Sequence, residues 1–240
     1  MTTENKRLRY MYSESEGEVE GMTDDSCQST KKIVKRRKIP KPDGLMVLSI
    51  ITQEKNTSMI LPYLYVGGYC GLQDEPYSLA THGIEFVVNC SDKSKPLPPP
   101  YSTPFTFYDV KLDDCPSCDL SEAISTVVPI IQNAKIKGKK CLIYCNIGMS
   151  RSVSLALAYL IVSEGMSLLK AMELMKTRRR IASPNPGFMM QLITLEKRMN
   201  EARGGFTTVD ISKYRHDRFG DVSSFRQTNS TFAYVHNSNI

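Results

Sequence analysis

Short runs of apolar residues, each suited in length to a β-strand, recur along the chain from residue 57 onward. They are rich in β-branched and aromatic residues, and polar, proline or glycine residues bound them, which is typical of strands. The four runs cover 58–68, 84–90, 105–112 and 141–144. Pro62 lies within the first run, and because proline donates no backbone hydrogen bond, we predict that this strand lies at an edge of the sheet.

Between and after these runs, apolar residues recur at helical spacing. The predicted helices cover 70–83, 119–134, 152–164, 167–179 and 186–201. Asp119 is expected to cap the second helix, because Glu122 follows it at the spacing of a capping box. Since strands and helices alternate along the chain, we predict an α/β fold with a central, mostly parallel sheet of about four to five strands flanked by helices.

The two ends of the chain lack this periodicity. An acidic stretch at 14–25 and a basic stretch at 31–41 contain few large apolar residues, so neither can build a core. From residue 203 onward, the sequence is rich in Gly, Ser, Thr and Asn. We therefore predict a disordered N-terminal segment at 1–56, one folded domain at 57–202 and a disordered tail at 203–240.

The basic stretch supports three interpretations. The run Lys35-Arg-Arg-Lys38 has the composition of a nuclear import signal. Together with the apolar run Leu45-Met-Val47, it also has the basic-plus-hydrophobic pattern of a segment on which a kinase docks, here residues 35–48. The third interpretation is a solvated linker. These alternatives stay open, and we expect the protein in the cytoplasm, the nucleus or both.

Composition argues against a nucleic-acid partner and against membrane attachment. The 31 basic and 25 acidic side chains leave a net charge of only +6, and we predict no nucleic-acid partner. No apolar run is long enough to span a bilayer, and the N-terminus has neither a signal-peptide core nor a lipidation signal, so we expect no membrane attachment. Seven cysteines, an odd number in a chain without a secretion signal, favour a reducing compartment.

The stretch 141–152 carries the strongest candidate chemistry. An apolar strand leads to Cys145, the chain turns at Gly148, and a helical pattern begins at Ser152. A loop before a helix N-terminus turns its backbone N–H groups inward and, with the helix dipole, forms an anion site. Gly148 allows the backbone to curl because glycine has no Cβ atom.

Five residues separate Cys145 from Arg151, a spacing that suits a nucleophile and an anion-binding fork. The positive field of the loop favours the thiolate form of the cysteine, and the guanidinium can hold two phosphate oxygens together. The residues between them are uncharged and are expected to bind the anion: Asn146, Ile147, Gly148, Met149 and Ser150. At this point the alternative remains that Cys145 is a small core residue.

Two acids and two cysteines follow the third predicted strand. Asp113 and Asp114 lie at the strand exit, where a carboxylic acid can protonate a phosphate-ester leaving group, although either acid could belong to a solvated loop. Cys115 and Cys118 have the spacing of a redox disulfide or of half a zinc site. We predict no metal, because the sequence offers no second Cys/His pair at metal spacing. A cysteine near Cys145 could also trap the oxidised thiolate as a disulfide.

Residues 57–202 resemble a dual-specificity protein phosphatase of the cysteine-based protein tyrosine phosphatase superfamily. The resemblance rests on four stretches in the order of the family: Leu61-Pro-Tyr-Leu-Tyr-Val-Gly67, Cys145-Asn-Ile-Gly-Met-Ser-Arg-Ser-Val-Ser154, Ala158-Tyr-Leu160 and Ile181-Ala-Ser-Pro-Asn-Pro-Gly-Phe-Met-Met-Gln-Leu192. It implies hydrolysis of phosphotyrosine and phosphoserine/threonine through a phosphocysteine intermediate, without a metal or cofactor. Phosphoprotein substrates are favoured, because relatives that act on phosphoinositides or RNA usually carry extra positive charge beside the loop arginine.

The resemblance also implies roles for single residues. Four would carry the chemistry: Cys145 as the nucleophile, Arg151 as the group that stabilises the transition state, Asp114 as the general acid and Ser152 as a hydrogen-bond donor to the departing thiolate. Asp113 is the fallback for the general acid. Backbone N–H groups of 146–151 would bind the phosphate. Arg180 resembles a position that can line a secondary anion pocket, and Asn185 is expected to be structural.

One residue departs from the family pattern. Tyr144 stands where relatives usually have His, immediately before the nucleophile, and a tyrosine cannot carry positive charge. A phosphoprotein-binding pseudophosphatase of low activity is therefore an alternative to an active phosphatase. A thiol-redox enzyme, suggested by Cys115 and Cys118, is a third hypothesis.

Overall fold

The structure is a computed structural model that describes residues 57–74, 78–91 and 105–214. The predictions for residues 1–56, among them the import or docking peptide at 35–48, and those for residues 215–240 lie outside these ranges. No helix in the described ranges is both long enough and apolar enough to cross a membrane.

Five strands form one sheet among the described residues. β1 (Ser58–Leu61) runs antiparallel to β2 (Leu64–Gly68), and the remaining strands β3 (Ile84–Asn89), β4 (Thr106–Asp109) and β5 (Lys140–Cys145) run parallel to β2. The strand order is β1-β2-β5-β3-β4, so β5 lies at the centre of the sheet. This arrangement confirms the predicted α/β fold with a mostly parallel sheet.

The first predicted strand is in fact two strands. The run 58–68 turns at Pro62 and Tyr63, and its halves pair with each other, with Ser58 opposite Val66. Because Pro62 has no N–H group to donate, a turn at this point costs neither strand a ladder hydrogen bond. β1 lies at an edge of the sheet, as the proline predicts.

Six α-helices accompany the sheet in the described part of the chain: α1 (Tyr69–Asp74), α2 (Ser78–His82), α3 (Ser121–Ile136), α4 (Arg151–Val162), α5 (Leu168–Arg178) and α6 (Pro186–Met199). The predicted helix at 70–83 is therefore two short helices. The predicted cap at Asp119 is also displaced, because Leu120 occupies the N-cap of α3. The Asp119 carboxylate accepts a hydrogen bond from Ser121 N at 2.9 Å and so satisfies one N–H group of the first turn from outside the helix.

Side chains of β5 alternate between two cores. Cys141, Ile143 and Cys145 belong to the larger core, which includes residues of α3, α4, α5 and α6. Leu142 and Tyr144 belong to a smaller core on the other face, with residues of α1 and α2. A parallel strand that is covered on both faces is apolar throughout, which explains the continuous apolar run in the sequence.

The chain beyond residue 202 packs against the domain. Val209 and Tyr214 are buried in the larger core, and the Tyr214 hydroxyl donates a hydrogen bond to Pro184 O at 2.7 Å. The predicted start of the tail at residue 203 is therefore too early. The sequence 203–214 is mostly polar, and its composition therefore does not reveal that Val209 and Tyr214 are buried in the core.

The carboxylate of Glu196, in the last turn of α6, holds this extension in place. Glu196 is only 1% exposed. Its two oxygens accept hydrogen bonds from Leu168 N and Thr208 N at 2.8 Å each, from Thr208 Oγ1 at 2.8 Å and from Thr207 Oγ1 at 2.7 Å. Because four donors compensate the buried charge, the carboxylate can join the start of α5 and the end of α6 to the extension.

Candidate active site

The loop 146–150 joins the end of β5 to the start of α4 at the carboxyl edge of the sheet. The ends of β2 and β3 flank it, because these strands are the neighbours of β5. In open α/β sheets, ligands bind at this edge. The structure therefore confirms the predicted loop between a buried strand and a helix N-terminus.

The thiol of Cys145 lies at the base of this loop. Cys145 is 2% exposed, and its sulfur accepts hydrogen bonds from Gly148 N at 3.1 Å and from Ser152 Oγ at 3.3 Å. Two donors directed at one sulfur stabilise negative charge on it. Ser152 thus lies within hydrogen-bond reach of the candidate nucleophile.

Cys90 and Cys141 are also free thiols, and their environment differs from that of Cys145. Cys90 and Cys141 are fully buried in the larger core. Burial raises the pKa of Cys141 to about 12, and burial together with the nearby Cys145 raises the pKa of Cys90 well above its ordinary value. Both are therefore neutral thiols at neutral pH, which makes Cys145 the candidate nucleophile of this group.

Close approach of two backbone segments requires glycine in the loop and at the end of β2. Gly148 has a φ of 75°, in the left-handed region that favours glycine. A Cβ atom on Gly148 would overlap the carbonyl of Gly67, and a Cβ atom on Gly68 would overlap the carbonyl of Ile147. These glycines let the loop fold directly over the end of β2.

The five predicted anion-binding residues differ in exposure. Ile147 faces the solvent, Asn146 is half-buried, and Gly148, Met149 and Ser150 are buried. An anion that enters the loop would therefore meet the side chain of Ile147 at the rim. The deeper residues are available mainly through their backbone.

Arg179 holds the loop from the side of the protein interior. It is fully buried, and it donates from Nε to Gly148 O at 2.5 Å, from NH2 to Ile147 O at 2.9 Å and from NH1 to Ser58 Oγ at 3.1 Å. The Ile147 carbonyl belongs to the same peptide plane as the Gly148 N–H, which points to Cys145. Because C=O and N–H of a trans peptide point in opposite directions, Arg179 orients that N–H toward the sulfur.

The sequence analysis names the neighbouring Arg180, as a residue that can line a secondary anion pocket, and it does not identify Arg179. Arg180 is exposed in the turn that follows α5, and its proposed contact with a substrate stays a prediction. The signal that identifies Arg179 is helical spacing. Met172 and Met175 lie on the buried face of α5, and position 179 continues that face whereas position 180 does not.

Arg151 and Asp114 lie close together beside the loop. Buried Arg151 donates from NH1 to Leu112 O at 3.3 Å, and its Nε lies 3.8 Å from Asp114 Oδ2. Asp114 Oδ1 accepts hydrogen bonds from Ser150 Oγ at 2.6 Å and from Asn185 Nδ2 at 3.0 Å. With its side chain 36% exposed, Asp114 is fixed at one oxygen and accessible from outside. The structure thus brings the predicted general acid to the loop.

Asn185 has a larger part in the site than the sequence predicts. Its side-chain oxygen caps α6 by accepting from Phe188 N at 2.9 Å, while its backbone N–H donates to Ser150 Oγ at 3.1 Å. The same side chain donates to Asp114, so one residue ties the helix to both the loop and the acid. Asp113, the fallback acid, is exposed and makes none of these contacts.

The ring of Tyr144 lies on the face of the sheet opposite to the Cys145 side chain. It is fully buried in the smaller core, where it packs with Tyr65 and Leu72 among others. Its carbonyl accepts hydrogen bonds from Cys90 N at 2.8 Å and from Cys90 Sγ at 3.0 Å. The side chain that departs from the family pattern is therefore part of the core.

Cys115 and Cys118 form a disulfide with each other. Cys145 is a free thiol. The structure therefore does not contain the predicted disulfide between Cys145 and a nearby cysteine. Across residues 57–74, 78–91 and 105–214, no three His, Cys, Asp or Glu side chains are grouped as a metal site would require.

Comparison with known proteins gives the same picture from an independent direction. The family model described as "Dual specificity phosphatase, catalytic domain" matches residues 64–198. The mouse "Dual specificity protein phosphatase 15" is 27% identical over 163 residues, which are 68% of this chain and 64% of that protein. The Arabidopsis thaliana "Dual specificity protein phosphatase 1B" is 34% identical over 143 residues, which are 60% of this chain and 83% of that protein.

Solved structures show the same likeness. Human DUSP28 superposes with a TM-score of 0.54 at 31% identity, and the match covers 60% of this chain and 95% of that one. The human tyrosine phosphatase-like serine/threonine/tyrosine-interacting protein has a TM-score of 0.53 at 25% identity, with 62% of this chain and 97% of that one covered. This chain spans about two thirds of the length of the mouse relative and nearly all of the two solved structures.

Proposed function

The chain belongs to the dual specificity phosphatase family, and on that premise we propose that it hydrolyses phosphotyrosine and phosphoserine/threonine on proteins through a phosphocysteine intermediate. One observation carries the proposal. Gly148 N and Ser152 Oγ converge on the sulfur of Cys145, and Arg151 and Asp114 lie side by side at the same loop.

In the first step, the Cys145 thiolate attacks phosphorus as the bond to the leaving oxygen breaks. Arg151 and the backbone N–H groups of 146–151 bind the phosphoryl oxygens and stabilise the charge of the transition state. Asp114, in its protonated form, gives its proton to the leaving oxygen. The products are the free hydroxyl of the substrate and a phosphocysteine.

In the second step, water attacks the phosphocysteine while the Asp114 carboxylate takes one of its protons. The bond between sulfur and phosphorus breaks, and inorganic phosphate leaves. The Cys145 sulfur departs as a thiolate, which the hydroxyl of Ser152 stabilises through its hydrogen bond at 3.3 Å. The proton taken by Asp114 restores the acid for the next turnover.

Phosphoproteins are the proposed substrate class. The residues between Cys145 and Arg151 carry no charge, which suits a phosphorylated side chain better than a polyanionic lipid or nucleic acid. A kinase that docks on residues 35–48 is a proposed partner, as the basic-plus-hydrophobic sequence there suggests. Action in the cytoplasm, the nucleus or both accords with the same basic run.

A phosphoprotein-binding pseudophosphatase of low activity is the second candidate, because Tyr144 replaces the usual histidine. The likeness to the human tyrosine phosphatase-like interacting protein is compatible with it. It is the weaker candidate, since Cys145, Arg151 and Asp114 are all present and close to one another.

The test is turnover of a generic aryl phosphate by the wild type, Cys145→Ser and a control. Cys141→Ser removes a buried thiol from the same strand and should keep most of the activity, whereas Cys145→Ser should abolish it. Turnover that survives in Cys145→Ser contradicts the proposal. A wild type without turnover that still binds phosphopeptides supports the second candidate.

A further inference from the structure

The disulfide between Cys115 and Cys118 has no part in the mechanism above, yet it follows the general acid directly in the sequence. The two cysteines enclose a turn, residues 115–118, in which Cys118 N donates to Cys115 O at 3.1 Å. Pro116 and Ser117 at its tip are exposed, and both cysteines are half-buried. Solvent therefore reaches this turn, and a small thiol can approach it.

The disulfide turn is docked on α6. Gln191 donates from Nε2 to Cys118 O at 2.7 Å, and its Oε1 accepts from Leu120 N at 2.8 Å. On the other side of the turn, the backbone of Pro116 lies so close to Gly187 that a Cβ atom there would overlap it. Contacts on both sides therefore fix the position of the turn on the helix.

The same helix also holds the acid. Asn185, the N-cap of α6, donates to Asp114 Oδ1 at 3.0 Å. α6 therefore contacts Asp114 in two ways. Its N-cap residue donates a hydrogen bond to the carboxylate, and its first two helical turns pack against the disulfide turn that follows Asp114. One peptide bond joins Asp114 to Cys115, so the backbone of the turn continues directly into that of the acid.

We propose that the Cys115–Cys118 disulfide positions Asp114 for proton transfer, so that acid catalysis by this enzyme depends on the redox state of the pair. This inference rests on the proposed phosphatase function. The covalent link removes conformations that an open four-residue turn can adopt. A general acid works only within hydrogen-bond reach of the leaving oxygen, so a less ordered turn lowers the fraction of productive encounters.

Exchange with glutathione disulfide is the proposed chemistry. The thiolate of one cysteine attacks a sulfur of glutathione disulfide, which forms a mixed disulfide and releases one glutathione thiolate. The second cysteine then attacks the protein sulfur of the mixed disulfide and releases the second glutathione. The pair loses two electrons and two protons, and one glutathione disulfide becomes two glutathione thiols. In the reducing compartment that the sequence predicts, the glutathione pool sets the state of the pair.

The expected effect depends on the leaving group. A strongly acidic phenol leaves without protonation, so its release needs little help from Asp114. A weakly acidic phenol or a tyrosine side chain needs the proton. Loss of the disulfide should therefore lower kcat/KM about 5- to 10-fold for phenyl phosphate and leave kcat/KM for 2,4-dinitrophenyl phosphate nearly unchanged. The ratio kcat/KM is the right quantity because it reports formation of the phosphocysteine and not its breakdown, in which Asp114 acts as a base.

The experiment compares full-length wild type, the double variant Cys115→Ser/Cys118→Ser, and Ser117→Ala. The last changes the same turn and keeps both cysteines. Each hydrolyses a series of aryl phosphates in an oxidising glutathione buffer and again in excess dithiothreitol. We expect a steeper dependence of kcat/KM on leaving-group acidity for the double variant in both buffers, but for the wild type and Ser117→Ala only in dithiothreitol. The same dependence in all three proteins and both buffers overturns the proposal.

Thiol labelling provides a readout that does not depend on activity. Alkylation followed by mass spectrometry of the wild type in the oxidising buffer should leave Cys115 and Cys118 unmodified until dithiothreitol is added. Alkylation of both cysteines in the oxidising buffer, in a wild type that hydrolyses aryl phosphates, overturns the inference alone. Absence of turnover for every aryl phosphate overturns the proposed function, and the inference with it.

Discussion

The two ends of α6 each carry a carboxylate network, and the two networks differ in how completely the carboxylate is used. At the last turn, Glu196 is 1% exposed and receives four hydrogen bonds across both oxygens. At the first turn, Asn185 and Ser150 bind one oxygen of Asp114, whose side chain is 36% exposed. Its other oxygen lies 3.8 Å from Arg151 Nε, at the anion loop.

This difference distinguishes a structural carboxylate, Glu196, from Asp114, the carboxylate that is proposed as the general acid. A buried carboxylate whose two oxygens are both occupied by donors is fixed in position and joins the segments that supply those donors. A carboxylate that is fixed at one oxygen and open at the other keeps its orientation while it gains and loses a proton. α6 uses the first kind to join secondary structure and the second kind to serve the candidate active site.

The largest expected effect comes from Asp114→Asn. The amide can still accept from Ser150, so the fold should be retained, but it cannot deliver a proton to the leaving group. We expect kcat for a phosphotyrosine peptide to fall about 100- to 1,000-fold with little change in the melting temperature. Steady-state kinetics and a thermal melt test this.

Asp113→Asn is the matched control, since the neighbouring acid is exposed and makes none of the loop contacts. It should keep most of the activity. If Asp113→Asn lowered kcat more than Asp114→Asn, Asp113 would be the general acid. The carboxylate network at the start of α6 would then have no part in proton transfer.

Glu196→Gln should show the reverse behaviour. The amide offers a donor where the carboxylate accepts, so at least one buried N–H or hydroxyl group loses its partner. We expect the free energy of unfolding to fall by about 2 kcal/mol, with kcat per folded molecule nearly unchanged. Urea denaturation measures the first quantity, and exposed Glu201→Gln is the control. A fall in kcat without loss of stability would contradict the assignment of Glu196 as structural.

Tyr144→His is the smallest expected effect. The ring lies in the smaller core, on the face of the sheet opposite to Cys145 and α6, so it belongs to neither network. We expect activity per folded molecule to hold or to rise, because this side chain lies on the opposite face from the Cys145 side chain and histidine is the residue of the family pattern. A sharp loss in aryl phosphate turnover, measured below the melting temperature, would show that the tyrosine has its own role.

Much of the candidate site is local in sequence and could therefore be predicted. Cys145, Gly148, Arg151 and Ser152 lie within one strand–loop–helix unit, whose spacing alone brings the thiol, the anion site and the hydroxyl together. The alternation along β5 likewise determines which side chains face which core. The prediction of Asp114 as the general acid rests on its position at a strand exit and on the family resemblance.

The remaining parts depend on contacts between distant segments or on where an element ends. Arg179 and Arg180 have the same chemistry, and the helical spacing that distinguishes them applies only where α5 keeps its register up to position 179. The turn at Pro62 and the burial of Val209 and Tyr214 depend on partners far away in the chain. Sequence spacing allowed the Cys115–Cys118 pair but could not choose between a disulfide and half a metal site.

The most direct test of the central claim is to trap the phosphocysteine. Asp114→Ala should slow its breakdown, so that mixing this variant with an aryl phosphate of good leaving group and quenching in an alkaline denaturant preserves it. Mass spectrometry should then find one phosphoryl group on the peptide that contains Cys145, and none when Cys145→Ser is added to the variant. Turnover without phosphate on Cys145 at any quench time would contradict the account.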